Sequence, residues 1–312
     1  MIEDYPRDLP EFESRFANEQ ACRQYLMKLR WPDGFVCPRC SSGAVWTSNR
    51  NRLVCANCEY QASITAGTIF QDTRKPLQTW FRAAWWMTSQ KNGASALGLQ
   101  RVLGLKTYET AWTWLHKFRR AMVRPGRDQL DGMVEVDETY IGGLEEGVVG
   151  RLTHRKAMVI VAAQEDGKGI GRIRLRRIDD LSKASLHGFI RDVIVPGAVV
   201  HTDGLPTYQG LDGYEHRVTV VKKRTEPADE LLPRVHRVIS LVKRWLLGTH
   251  QGAVSHEHLE YYLDEFTFRF NRRTSASRGK LFYRLLQQAA SVDPQPYKSI
   301  IKHIRSGPEH KR

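Results

Sequence analysis

Residues 133–141 read MVEVDETYI, a short run rich in β-branched residues in which apolar and polar positions alternate. That period of two predicts a strand with one face turned to a core. Asp137 stands in its middle, so its side chain shares a strand with residues that must be buried or half-buried. An unpaired carboxylate in such a place is expensive.

Working outward, KAMVIVAA (156–163), GRIRLRRI (171–178), AVVHTD (198–203) and HRVTVV (216–221) repeat the β-branched character, with a helical stretch between the third and fourth strands. Two longer helical patterns follow, at 233–247 and 256–271. Strands interleaved with helices in this way predict an α/β domain. Asp203 closes the fourth strand at its carboxyl end, where open α/β sheets carry their functional groups. Two strand-borne acids in one sheet suggest a shared cation. On the helix that follows, His236, Ser240, Lys243 and Leu247 recur at a spacing that places them on one face.

Upstream, residues 64–127 hold eleven Lys or Arg against only Asp72 and Glu109, and include Trp80, Trp85, Trp86, Trp112 and Trp114. Apolar residues recur at helical spacing in three runs: Leu77, Trp80, Phe81, Ala84, Trp85; Leu97, Leu99, Val102; and Ala111, Trp112, Leu115, Phe118. Gly93 and Gly104 are the breaks. The last two runs, joined at Gly104-Leu105-Lys106, have the shape of a helix-turn-helix, with Lys106, Thr107, Tyr108 and Thr110 near the start of the second helix. The local positive charge favours DNA as its partner, and the tryptophans are expected in the core.

Further upstream, Cys37-Pro-Arg-Cys40 and Cys55-Ala-Asn-Cys58 form two C-x2-C knuckles. The spacing suits four thiolates around one tetrahedral Zn2+, a closed structural site with no open position for chemistry. Arg39, Arg50 and Arg52 would then be placed to touch phosphate. Cys22, the fifth cysteine, reads as a buried apolar residue.

The whole chain of 312 residues carries a formal charge of +14, which points to a polyanionic partner. No apolar run approaches the length of a membrane span, and the start, MIEDYPRDLPEFES, is acidic where a signal peptide is basic and then apolar. A cytoplasmic protein without membrane contact is expected. No internal repeat is evident.

Taken together, RWPDGFVCPRC and CANCEYQASITAGTIF at the front, VDETYIGG and HTDGLPTY in the middle, and SLVKRWLLGTHQGAVSHEHLEYYLDEFTFRFNRR near the end resemble the zinc-ribbon-bearing insertion-sequence transposases of bacteria. These are ISXO2-like members of the DDE superfamily with an RNase H-like catalytic core. The residues divide the chain into an N-terminal helical segment (1–30), a zinc ribbon (31–63), a helical DNA-binding segment (64–127), an α/β domain (128–275) and a basic C-terminal tail (276–312), and the resemblance implies that the α/β domain is an RNase H-like catalytic core of three strands, helix, strand, helix, strand and helix. It places the first acid on Asp137, the second on Asp203 and the trailing lysine on Lys243. Family members commonly carry Glu or Asn seven residues before that lysine, where this chain has His236; Glu226 and Glu230 are the wrong distance away.

Asp137, Asp203 and His236 are then expected to hold Mg2+ or Mn2+ for an in-line phosphoryl displacement that cuts and joins DNA. Lys243 pairs with a phosphate, while Arg39, Lys106, Thr107, Tyr108 and Thr110 contact the terminal inverted repeats. Asn271, Arg272 and Arg273 are either further backbone contacts or a solvated helix end. Bringing two ends and a target together implies a homo-oligomer. A nuclease or resolvase without joining activity, and a non-catalytic DNA-binding regulator, are the alternatives.

Overall fold

The protein's structure, a computed structural model, describes residues 3–124, 126–142, 156–219, 231–252 and 254–302. The chain divides into two compact units, residues 1–125 with 275–312, and residues 126–274.

The first unit opens with α1 (Leu9–Arg15) and α2 (Glu19–Arg30), capped by the side chains of Asp8 and Asn18. The antiparallel ribbon β1 (Val45–Thr47), β2 (Leu53–Cys55) and β3 (Gln61–Ala62) follows. Three helices come next: α3 (Leu77–Ser89), α4 (Ala96–Leu103) and α5 (Tyr108–Ala121). Ser95 caps α4, Gly104 ends it in the left-handed region at φ 60°, and Thr107 caps α5, so the expected helix-turn-helix is present. Pro76, which precedes α3, gives no side-chain cap. The Glu19 carboxylate does so from α2, accepting from the amides of Leu77 at 2.9 Å and Gln78 at 3.1 Å. Trp80, Trp85 and Trp114 are buried, with Trp80 and Trp114 stacked at 3.8 Å.

The second unit carries a five-stranded mixed sheet: β4 (Met133–Ile141), β5 (Ala157–Asp166), β6 (Gly169–Ile178), β7 (Val199–Thr202) and β8 (Glu215–Val218). The order is β6-β5-β4-β7-β8, antiparallel among the first three strands in the chain and parallel from β4 to β7 to β8. This is the RNase H-like arrangement. One face buries Val134, Val136, Ile160 and Ala162 against α6 (Lys183–Val193). The other buries Val159, Val161 and Ala163 against α7 (Pro233–His250) and α8 (Leu259–Phe270). Period two therefore assigns Glu135, Asp137 and Thr139 to the α7 face, and Glu138 to the opposite one.

The remaining segment, expected as a basic tail, returns to the first unit as α9 (Arg278–Ala289) and α10 (Tyr297–Ile301). Leu281, Phe282, Leu285 and Leu286 of α9 are fully or almost fully buried where it packs on α3, α2 and α5. Phe282 joins the ring cluster of Phe12, Phe16, Tyr25, Phe81 and Trp85. Residues 278–301 are therefore largely helical and packed, with Lys280 and Arg284 on the outer face of α9, where both pair with Glu3; the basic residues Arg305, Lys311 and Arg312 of the expected tail lie outside the described residues. No helix among the described residues is long and apolar enough to cross a membrane.

Candidate functional site

Strands β4 and β7 pair only from Met133 opposite Val199 to Glu135 opposite His201. Beyond that point they part, and β4 runs on to Ile141 held by β5 alone. A crevice of this kind, at the carboxyl ends of parallel strands, is where α/β sheets accept ligands. Asp137 stands on β4 just past the last β4–β7 pair, Asp203 directly follows β7, and Glu138 belongs to the other face of the sheet. One carboxylate oxygen from each of the three lies within 4.8 Å of the others.

Each acid has its own anchor. Asp137 Oδ1 accepts from the amide of Glu138 at 2.9 Å. Asp203 Oδ1 accepts from the amide of Leu205 at 3.0 Å. Glu138 Oε2 accepts from the hydroxyl of Tyr208 at 3.1 Å, and Tyr208 is fully buried. Burial, then the charges of Glu138, Asp137 and Asp203, push the Tyr208 phenol well above its ordinary range, so it stays a donor. Three carboxylates converging in one crevice are the hard oxygen donor set that suits Mg2+ or Mn2+.

His236 does not join that set of three. Its Nε2 lies 3.0 Å from Asp137 Oδ2 on the α7 face. Glu226 and Glu230 lie outside the described residues. The placement of His236 depends on Glu135, which in the sequence is one polar position of the β4 alternation. Leu232, before α7, offers no side-chain cap. The buried Glu135 carboxylate substitutes, accepting from the backbone amides of Arg234 at 2.7 Å and Val235 at 2.9 Å and pairing with the Arg234 guanidinium at 3.0 Å. Arg234 also pairs with Glu165 and donates to the carbonyls of Gly167 and Gly169.

Lys243 lines a cleft of about 700 Å³ that adjoins Glu138 and Lys156, with Leu246, Leu247 and Leu259 along its side. Asn271, Arg272 and Arg273 serve the fold. Asn271 pairs through its side-chain amide with the backbone of Ile173, Arg272 lies over Phe268, and Arg273 donates to carbonyls of the β5–β6 hairpin while lying over Phe270.

The four cysteines of the ribbon converge, with Cys37 Sγ to Cys58 Sγ and Cys40 Sγ to Cys55 Sγ both at 3.6 Å. Sulfurs about 2.3 Å from one tetrahedral Zn2+ stand roughly 3.8 Å apart, so the donor set fits that ion. Backbone donation from Ser42, with help from Cys58 and Asn57, holds the Cys40 thiol below its ordinary range, while burial and the neighbouring thiols Cys40, Cys37 and Cys55 push Cys58 above it, so all four become thiolates together only when a cation offsets their charge. Arg39 projects into solvent beside the first knuckle. In the helix-turn-helix, Lys106 and Tyr108 are exposed, whereas Thr107 and Thr110 are tied to each other in the cap of α5.

Residues 129–271 match the family model described as the ISXO2-like transposase domain, and residues 17–61 match the transposase zinc-ribbon domain. A relative from Halobacterium salinarum, described as an uncharacterized protein in transposable element ISH50, is 27% identical over 277 residues, covering 81% of this chain and 91% of its own. Among solved structures, the catalytic core domain of BIV integrase aligns at 14% identity and a TM-score of 0.31, over 48% of this chain and 89% of that one. The Mos1 strand transfer complex aligns at 14% identity and a TM-score of 0.28, over 78% and 82%.

Proposed function

Because the chain belongs to the ISXO2-like transposases that carry a zinc ribbon, we propose that it binds the terminal inverted repeats of an insertion sequence and catalyses metal-dependent DNA cleavage and strand transfer. The observation that carries this reading is the convergence of Asp137, Asp203 and Glu138 in the crevice where β4 and β7 part. Asp137 and Asp203 would hold Mg2+ or Mn2+, with His236 as a neutral nitrogen donor from the α7 face and Glu138 as a further carboxylate from the opposite one. When bound, such ions activate an attacking hydroxyl and stabilise a leaving oxygen in phosphoryl transfer. Tyr208 keeps Glu138 aimed at the crevice. Lys243 meets a phosphate as a point charge.

The four cysteines hold structural Zn2+. Arg39, Lys106, Thr107, Tyr108 and Thr110 mark the DNA-reading surface, where phosphate contacts give affinity and base contacts give register. Thr107 and Thr110 contribute by fixing the start of α5, and Lys106 and Tyr108 by direct contact. Two element ends processed together make a homo-oligomer the working form.

The test is incubation of the purified protein with labelled double-stranded DNA bearing its own element's ends, in Mg2+ and in Mn2+, beside Asp137→Ala and His236→Ala. Joined products lost in both variants are the expected result. Joining that survives His236→Ala removes that ligand. Cutting without joining makes the protein a nuclease or resolvase, and binding without cutting makes it a regulator.

A further inference from the structure

Asp203 and Tyr208 belong to one loop between β7 and β8. Where the family pattern implies a helix, this loop makes only the single helical turn Pro206–Tyr208. It begins with a carboxylate of the crevice and then presents the phenol that donates to Glu138. Two histidines brace it at those two points. Thr202 Oγ1 donates to the carbonyl of Asp203 at 2.9 Å and lies 2.9 Å from His216 Nε2. With its own proton engaged, the Thr202 hydroxyl accepts from His216. His187 Nε2 lies 3.0 Å from the carbonyl oxygen of Thr207, which can only accept, so that nitrogen also donates.

The braces come from separate elements. His216 stands on β8 opposite Val200, on the face that α6 covers, and His187 stands on α6 itself. Thr202 is fully buried and His187 nearly so, which shelters both bonds from exchange with water and strengthens them. A rotation of the Thr202–Asp203 peptide would swing the Asp203 carboxylate. A shift of the helical turn would carry the Tyr208 hydroxyl away from Glu138. We propose that His187 and His216 are positioning residues of the carboxylate site. His216 sets the Asp203 peptide through Thr202, His187 sets the turn that carries Tyr208, and together they hold Asp203 and Glu138 at Asp137 before a divalent cation arrives. This rests on the reading that these acids hold Mg2+ or Mn2+. Support of this kind is worth about ten- to a hundredfold in metal affinity, because ligands already in place lose little freedom on binding.

The experiment is Mn2+ binding to the zinc-loaded full chain without DNA, read from the electron paramagnetic resonance signal of the free ion. The wild type is compared with Asp137→Ala, His187→Leu, His216→Leu, Thr202→Val, His187→Gln and His216→Gln. Tyr214→Phe, which loses a hydrogen bond to the Ile194 carbonyl on the same side of the sheet, controls for lost stability alone. Thermal unfolding by circular dichroism shows which variants are folded. Where Leu is not tolerated, Asn, whose amide is too short to reach the same acceptor, takes its place. Each Leu variant and Thr202→Val should raise the dissociation constant of the site that Asp137→Ala removes by about tenfold. Each Gln variant, whose amide nitrogen can donate in place of Nε2, should recover most of that loss, and Tyr214→Phe should bind as the wild type does. Thr202→Val combined with His216→Leu should bind no more weakly than either alone, since both break one chain of hydrogen bonds.

Wild-type affinity in either Leu variant, or an equal loss in Tyr214→Phe, would overturn the inference while leaving the metal site intact. Mn2+ binding that Asp137→Ala does not reduce, or none in the wild type, would remove the site itself and with it the reading on which the inference rests.

Discussion

The Glu135 carboxylate lies 2.7 Å from the backbone nitrogen of Arg234, ninety-nine residues further along the chain. It completes the amino end of α7 and thereby sets that helix against β4, so that His236, two residues beyond Arg234, meets Asp137, two residues beyond Glu135. Glu19 performs the same service for α3 in the first unit. In both cases the residue before the helix, Leu232 or Pro76, has no side-chain acceptor to cap it. Glu135→Ala should cost about 2–3 kcal/mol in urea unfolding, since it strands two amides and part of a guanidinium. Glu135→Gln should cost less, because its carbonyl can still accept from both amides.

Tyr208→Phe removes one hydroxyl from a fully buried ring and with it the hydrogen bond to Glu138 Oε2. Stability should change by about 1 kcal/mol or less. Cleavage of element-end DNA should fall by about tenfold, the scale at which residues supporting a metal ligand act. An unchanged cleavage rate would mean that Glu138 needs no support from Tyr208.

Metal removal should act locally. Chelation, or Cys40→Ser, is expected to release about one Zn2+ per chain and to expose residues 37–58 to protease. The sheet of the second unit should keep its far-ultraviolet circular dichroism. Loss of the sheet signal together with the zinc would contradict a purely structural role confined to the ribbon.

Acid should weaken the second unit before its carboxylates titrate. Burial pulls the His201 imidazole below its usual range against the charge of Glu135, and burial with the charges of His187 and His201 does the same to His216. The folded state thus keeps both rings neutral, while the unfolded chain protonates them near pH 6.5. Below that value the unfolded state binds more protons, so stability falls as pH drops toward the depressed folded values. Thr202 donates to the carbonyl of Asp203 and so accepts from His216, which must keep its Nε2 proton. The urea midpoint should decline from pH 7 to pH 5, and less steeply in a His201→Gln, His216→Gln variant.

At the helix-turn-helix, Lys106→Gln and Tyr108→Ala should weaken DNA binding with little change in melting temperature, as both side chains are exposed. Thr107→Ala should lower stability by about 1 kcal/mol through loss of the α5 cap, and weaken DNA binding only through the loosened start of α5. Equal melting temperatures for all three would contradict the capping role of Thr107.

The sequence is most legible where the physics is local. Cysteine spacing gives the ribbon, period two gives the strands and the apolar runs give the helices. Asp137 is readable because it occupies a costly place on a strand, and Asp203 because it stands at the carboxyl end of one. Glu138 escapes notice because period two assigns it to the wrong face of the sheet, and only the parting of β4 from β7 lets it converge with them. Glu135 looks like an ordinary polar position in an alternation, and its meaning depends on a helix end far along the chain. His187 and His216 likewise gain significance only from the loop that they brace. The α9 pattern is present in Leu281, Phe282, Leu285 and Leu286, but the aromatic partners of Phe282 lie more than 190 residues earlier, so the flanking basic residues dominate a linear reading.

The return of α9 also bears on the order in which this protein matures during synthesis. Phe282 completes a cluster whose other rings emerge from the ribosome first, with the whole catalytic sheet translated in between. A nascent chain that has already made its sheet still lacks one wall of the unit that carries the helix-turn-helix. Products truncated before α9 would thus leave that aromatic cluster open, linking completion of the unit that carries the helix-turn-helix to translation through the last long helix.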